Sequence, residues 1–142
     1  MSLLEFVKDA GAKVLDAVAN PADAGRQIRS HIEKEIGVSD VDVQWIEGTV
    51  KVSGNAKTQA DKERLILAAG NIQGVKAVDD AITVAAPGAA SRMYTVKAGD
   101  TLGKIAKEHY GDASKYPQIF EANKPQLKDP DKIYPGQVLR IP

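Results

Sequence analysis

One switch of period constrains this chain more than any other feature. From Met93 to Val96 the apolar side chains alternate (Tyr94, Val96), a Gly99-Asp100 turn interrupts them, and from Leu102 the spacing turns helical through Ile105 and Ala106. Alternation puts successive side chains on opposite faces of a strand, whereas spacings of three and four fill one face of a helix. A strand, a tight turn and a helix entry in so short a stretch define a small unit that begins here. Everything upstream then needs a core of its own.

Length permits this division, since 142 residues make one ordinary domain or two small ones. The charge is balanced, with 19 Lys+Arg against 19 Asp+Glu, so nothing draws the chain to nucleic acid or to an anionic membrane. Aromatic residues make up 5% of the chain, too few for a stacking platform that binds single strands. Cysteine is absent, which excludes disulfides and thiolate metal sites, and two histidines leave little for zinc. Glu5, Lys8 and Asp9 break up the first apolar residues, so the roughly 7–15-residue apolar core of a secretory signal is missing. No run reaches the roughly 20 apolar residues of a membrane span. The expectation is a soluble monomer with no transmembrane segment and no nucleic-acid partner, kept in the compartment where it is made.

Residues 1–19 carry Leu3, Leu4, Val7, Val14, Leu15 and Val18, a loosely amphipathic pattern interrupted at Asp9-Ala10-Gly11. This predicts an irregular turn near residues 7–11 and then a helix to about Ala19, docked on the next module. A membrane-surface helix fits less well, because the basic face is missing. Asn20-Pro21 reads as an N-cap followed by a first helical residue. Ala24, Ile28, Ile32 and Ile36 then fall four apart, and Gly37 closes the helix. His31 neighbours that stripe and has no partner at metal spacing, so it reads as a packed side chain.

Val41, Val43 and Trp45 alternate with polar residues, Glu47-Gly48 turns the chain, and Val50 and Val52 resume the alternation, which predicts a hairpin. Thr58 with Asp61 resembles a capping box for a helix whose core face is Leu65, Ile66 and Ala69, and Gly70 occupies the place of a left-handed C-terminal cap. After Asn71-Ile72-Gln73-Gly74 a third strand runs from Val75 to Val84. Residues 20–86 therefore form an αββαβ domain. Residues 87–92, small and rich in alanine, are a short linker. Residues 93–142 form a βααβ domain. In it Asp100 or Thr101 caps a helix closed by Gly111, a second helix runs from about Ser114 to Asn123, and Leu139 and Ile141 lie in the closing strand. The fold class is α+β, with two small domains behind an N-terminal helical segment.

Catalytic chemistry finds no foothold. His31 and His109 lie in different modules, and there is neither a cysteine nucleophile nor a Gly-x-Ser-x-Gly elbow. Gly54-Asn55-Ala56-Lys57-Thr58 lacks the glycine that a phosphate loop places before its lysine. Asp40-Val41-Asp42-Val43-Gln44 has alternating oxygens, but Trp45 stands where a calcium loop needs glycine. Alkali cations are different, because main-chain carbonyls alone can hold them and leave no side-chain motif. The last four carbonyls of a helix have no intrahelical partner. The helix end at Ala69-Gly70-Asn71-Ile72-Gln73-Gly74-Val75 is one source of such carbonyls, and the broken stretch Val7–Gly11 is a second. Pattern alone favours reading Gly70–Gly74 as an ordinary helix-to-strand connection.

Tyr94-Thr95-Val96-Lys97-Ala98-Gly99-Asp100-Thr101-Leu102, Ile119-Phe120-Glu121-Ala122-Asn123 and the closing Ile133–Pro142 resemble a LysM domain over the whole last module. Gly48-Thr49-Val50-Lys51-Val52-Ser53-Gly54 and the strand Val75–Val84 resemble a BON domain. The whole arrangement, opened by Phe6-Val7-Lys8-Asp9-Ala10-Gly11, resembles the small cytoplasmic BON–LysM potassium-binding proteins of Gram-negative bacteria. That resemblance reverses the reading of the loop. It implies a cytoplasmic potassium sensor or buffer, not an enzyme, that compacts on binding K+. The ion would be held by the carbonyls of Val7, Lys8 and Ala10 together with those of Gly70, Ile72 and Val75. Gln73 departs in side chain from what the resemblance leads one to expect at that position, to which a carbonyl ligand is indifferent. LysM domains also bind N-acetylglucosamine chains, which would place a sugar groove between Gly99, Asp100, Thr101 and Leu102 on one side and Pro125, Ile133 and Tyr134 on the other. Without an export signal the chain would not meet a cell wall, and Asp100 and Thr101 equally well cap a helix. A BON-mediated interaction scaffold is the third alternative.

Overall fold

The computed structural model describes residues 2–6, 11, 21–36, 41–86, 88–124 and 127–142. The first of these differ from the helical pattern of residues 1–19. Ser2–Glu5 form a strand (β1), and the expected helix up to Ala19 lies outside the described residues. Leu3-Leu4 is too short an apolar run for its period to distinguish strand from helix. The open edge of a sheet decides the matter, as described below.

Helix α1 (Pro21–Ile36) buries Ala24, Ile28 and Ile32, the stripe set by the four-residue spacing. Strands β2 (Val41–Ile46) and β3 (Thr49–Thr58) pair antiparallel, with Val43 opposite Val52 and Trp45 opposite Val50. Their two-residue turn has φ of 48° at Glu47 and 87° at Gly48, both in the left-handed region that matches strand twist in tight hairpins. Strand β3 runs on to Thr58, well past the alternating valines, because it also pairs with a second neighbour. The Thr58 hydroxyl accepts from the Asp61 N–H at 3.1 Å and starts helix α2 (Gln59–Gly70). Strand β4 (Ala77–Ala86) returns parallel to β3, and β1 adds antiparallel to its other edge with Leu4 opposite Val78. The sheet order is β1-β4-β3-β2.

The last module opens with β5 (Arg92–Thr95), which pairs antiparallel with a closing strand described below. Thr101, not Asp100, is the N-cap of α3 (Leu102–Tyr110), accepting from the Lys104 N–H at 3.1 Å. Gly111 caps the far end with φ of 76°. A single 3-10 turn at Ala113–Lys115 leads into α4 (Tyr116–Ala122), whose Pro117 sits in the first turn where no helical N–H is lost. Strand β6 (Val138–Ile141) closes the chain against β5. Val96, Leu102, Ile105, Ala106, Ile119, Leu127, Leu139 and Ile141 make its small core.

The two modules share more than a linker. Val138, on β6, is buried in the core of the first module beside Phe6, Ile28, Leu67 and Ile72. Helix α2 is the surface between them: one side faces the sheet and the other faces β6, so Leu67 and Ala68 are buried as well as Leu65, Ile66 and Ala69. The second half of the helix, residues 65–70, is apolar all round, which is the signature of burial on both sides.

Candidate functional site

The C-terminal end of α2 is built from close approaches rather than from a left-handed cap. Gly70 has an ordinary φ, and the turn is completed by Asn71 at φ −80° and ψ 53°. Glycine is needed at 70 for another reason: a Cβ there would sit 2.1–2.3 Å from the ring of Phe6. The Phe6 ring therefore lies directly on the Gly70 backbone, and its own N–H donates to the Lys76 carbonyl at 2.8 Å. Gly11, with φ of 112°, makes a second close approach. A Cβ on it would meet the Asn71 carbonyl carbon at 2.5 Å and the Ile72 nitrogen at 2.7 Å. Both residues that flank positions 7–10 thus lie on the Gly70–Ile72 backbone.

The carbonyls of that loop are only partly engaged. Gly70 accepts from Ile72 N–H at 2.8 Å, and Ile72 accepts from Val75 N–H at 3.1 Å across a turn made possible by Gly74 at φ 99°. A carbonyl oxygen has two lone pairs, so among the described residues' backbone hydrogen bonds each uses one and keeps one. The Val75 carbonyl accepts no backbone N–H among the described residues. These three are the carbonyls expected at this end of the candidate site. Their side chains are apolar or absent, and Ile72 and Val75 are buried. Val7, Lys8 and Ala10 lie outside the described residues. Among the described residues no group of three or more His, Asp or Glu could hold a metal ion. Apolar walls around half-satisfied carbonyls are the chemistry that suits a large, weakly hydrated monovalent cation.

The residues of the expected sugar groove are engaged in several ways. Leu102 is 2% exposed in the last module's core, and Thr101 is engaged as a cap. The Asp100 carboxylate accepts from the Tyr94 hydroxyl and from Lys97 N–H. Those bonds hold Asp100 below the usual carboxylate range and push the Tyr94 phenol up to about 12. Gly99, at φ 86°, has open space beside it. Ile133 packs on the core, Tyr134 is half-buried, and Pro125 lies outside the described residues. Tyr134 helps line a cavity of about 280 Å³ between the modules, together with His31, Glu35, Asn71, Lys128 and Gln137. Burial lowers His31, partly opposed by Glu35, and raises the Tyr134 phenol to about 12.

Two junction contacts have no counterpart in the sequence reading. The Asn71 side chain pairs with Val138 in both directions, its Nδ2 donating to the carbonyl at 2.8 Å and its Oδ1 accepting from the N–H at 2.9 Å. Arg140 Nε donates to Glu63 Oε1 at 2.8 Å, with Arg140 7% and Glu63 2% exposed. Arg140 also donates to the Ala122 carbonyl, and Glu63 accepts from Ser91 N–H. The paired positions lie 67 and 77 residues apart, and no periodicity links residues so distant.

Comparison with known proteins agrees with this architecture. A BON domain model matches residues 22–86 and a LysM domain model matches residues 94–142. The class is therefore a BON–LysM protein. The chain is 49% identical over 148 residues, 100% of its own length and 99% of the relative's, to the potassium binding protein Kbp of Escherichia coli O6:H1. It belongs to the family of that potassium binding protein. An uncharacterized protein of Deinococcus radiodurans is 34% identical over 119 residues, covering 76% of this chain and 46% of that protein. An esterase of Mycobacterium tuberculosis matches at 54% identity over 48 residues, which is 10% of the esterase and bears on a module rather than on its activity.

Proposed function

We propose that this protein binds a potassium ion through main-chain carbonyls of Val7, Lys8, Ala10, Gly70, Ile72 and Val75, as a K+ sensor or buffer of the cytoplasm. The observation that carries the reading is the pair of close approaches at the end of α2. Phe6 on Gly70 and Gly11 on the Asn71–Ile72 peptide hold both flanks of residues 7–10 against a loop with spare carbonyl lone pairs. Four residues lie between the two anchors, five Cα steps that span at most about 18 Å, so carbonyls between them stay within reach of the loop. The full-length similarity to a protein named for potassium binding supports the same ion. The sugar-groove alternative has less behind it, since Leu102 is core and Asp100 and Thr101 are occupied within the module.

Binding that ties the N-terminal stretch to α2 compacts the chain, and that change is what a sensor would report. The test is calorimetry of the purified full chain titrated with KCl and, separately, NaCl at constant ionic strength. Saturable heat with KCl is expected. Its absence would refute the reading.

A further inference from the structure

We propose that Asn71 is a positioning residue that makes the geometry of the carbonyl loop and the docking of the LysM module one equilibrium. The inference rests on the potassium reading above and deepens it. Asn71 is 6% exposed and lies between Gly70 and Ile72, so its backbone nitrogen belongs to the same peptide as the Gly70 carbonyl. That N–H closes the last turn of α2 on Leu67 at 2.9 Å, and the Asn71 carbonyl end is pressed by Gly11. The side-chain amide has the donor and acceptor of a peptide group in one plane. It uses them as an added strand would, exchanging two hydrogen bonds with the backbone of Val138. One residue is thus held at once by the helix, the N-terminal stretch and the LysM strand.

Two other polar junction contacts act elsewhere. Glu63 and Arg140 meet roughly two helical turns back along α2, away from the loop. Lys128 and Glu35 make an ion pair at 3.3 Å in which the lysine is largely exposed. Next to Asn71 the modules leave the cavity of about 280 Å³, while the Val138 side chain packs into the first module's core, so the amide supplies the directional part of a contact that is otherwise apolar. If β6 leaves, the Asn71 side chain loses both hydrogen bonds to Val138, and the Gly70–Asn71 peptide loses one of the three elements that hold it. Ordering the loop around an ion therefore favours docking, and by reciprocity docking favours the ion by the same factor.

The full chain, three single variants and one double variant test this: Asn71→Ala, Val138→Pro, which removes the N–H whose hydrogen bond Asn71 accepts, the two combined, and Lys128→Ala as a control. Proline is admissible at the first residue of a strand. Each is titrated with KCl by calorimetry and by small-angle scattering, with a circular dichroism melt to show folding. The wild type should bind and contract. N71A should bind K+ about 5-fold or more weakly and contract less, and K128A should match the wild type. Combining N71A with V138P should lose less affinity than the two single losses together, because both break one contact. Equal affinity and equal contraction in wild type and N71A overturn the role of Asn71 while leaving potassium binding intact. Absence of heat in the wild type overturns the potassium reading itself, and the role of Asn71 with it.

Discussion

Two glycines show how a residue is chosen for what it lacks. Gly70 sits where a left-handed cap is the usual expectation, yet its φ is ordinary and its missing Cβ makes room for Phe6. Sequence alone does not reveal that, because the aromatic partner arrives from 64 positions away in the chain. Gly70→Ala should displace the ring, cost about 1–3 kcal/mol in urea unfolding, and weaken potassium uptake. Gly11→Ala has no room against backbone and the wrong φ, so it should abolish ion binding with a smaller effect on the core. The charged pair at the junction adds a pH dependence. Burial pushes the Glu63 carboxyl up, but the Ser91 N–H and hydroxyl, Arg140 and Gln59 together hold it below its ordinary 4.5. A depressed acid adds stability that is present above its unfolded value and is lost as pH falls through the native one. Melting temperature should thus drop below pH 4.5, and Glu63→Gln should flatten that limb. Arg140→Met, which leaves Glu63 buried without its partner, should cost about 3–5 kcal/mol at neutral pH.

At the scale of elements, legibility follows how local the determinants are. The hairpin, the Thr58 and Thr101 caps and the α1 stripe rest on residues within a few positions of one another, and they are where the spacing puts them. Helix α2 was legible as a helix and not as the interface, since Glu63 looks like solvent-facing charge until Arg140 is opposite it. Strand β1 departs from the helical expectation because its apolar residues fit either period, and pairing with β4 settles it. The loop after α2 could be named as a source of carbonyls, but its lone-pair balance needed the turn from Ile72 to Val75. Because β1 and Gly11 bring the N-terminal stretch to that loop, deleting residues 2–11 should remove any potassium-dependent rise in melting temperature. The β5, α3, α4 and β6 unit should stay folded, as its own core contains nothing from β1.

The whole molecule behaves as two modules joined through one helix. Neither module has a large core, and Val138 completes the first from the second. A ligand bound only by the native state stabilises it by mass action, about 2.7 kcal/mol at a hundred times its dissociation constant. Potassium should therefore raise the melting temperature in proportion to the logarithm of its concentration, with the modules melting together. The balanced charge, 19 against 19, means this rise should not be mimicked by ionic strength alone.

The central claim is that carbonyls of two chain segments hold the ion, and carbonyl-carbon NMR during a KCl titration at constant ionic strength addresses it most directly. The account predicts saturable shifts at Val7, Lys8, Ala10, Gly70, Ile72 and Val75 with one common affinity. Saturable shifts confined to side-chain carboxyls, or to the Gly99–Leu102 loop, would contradict it.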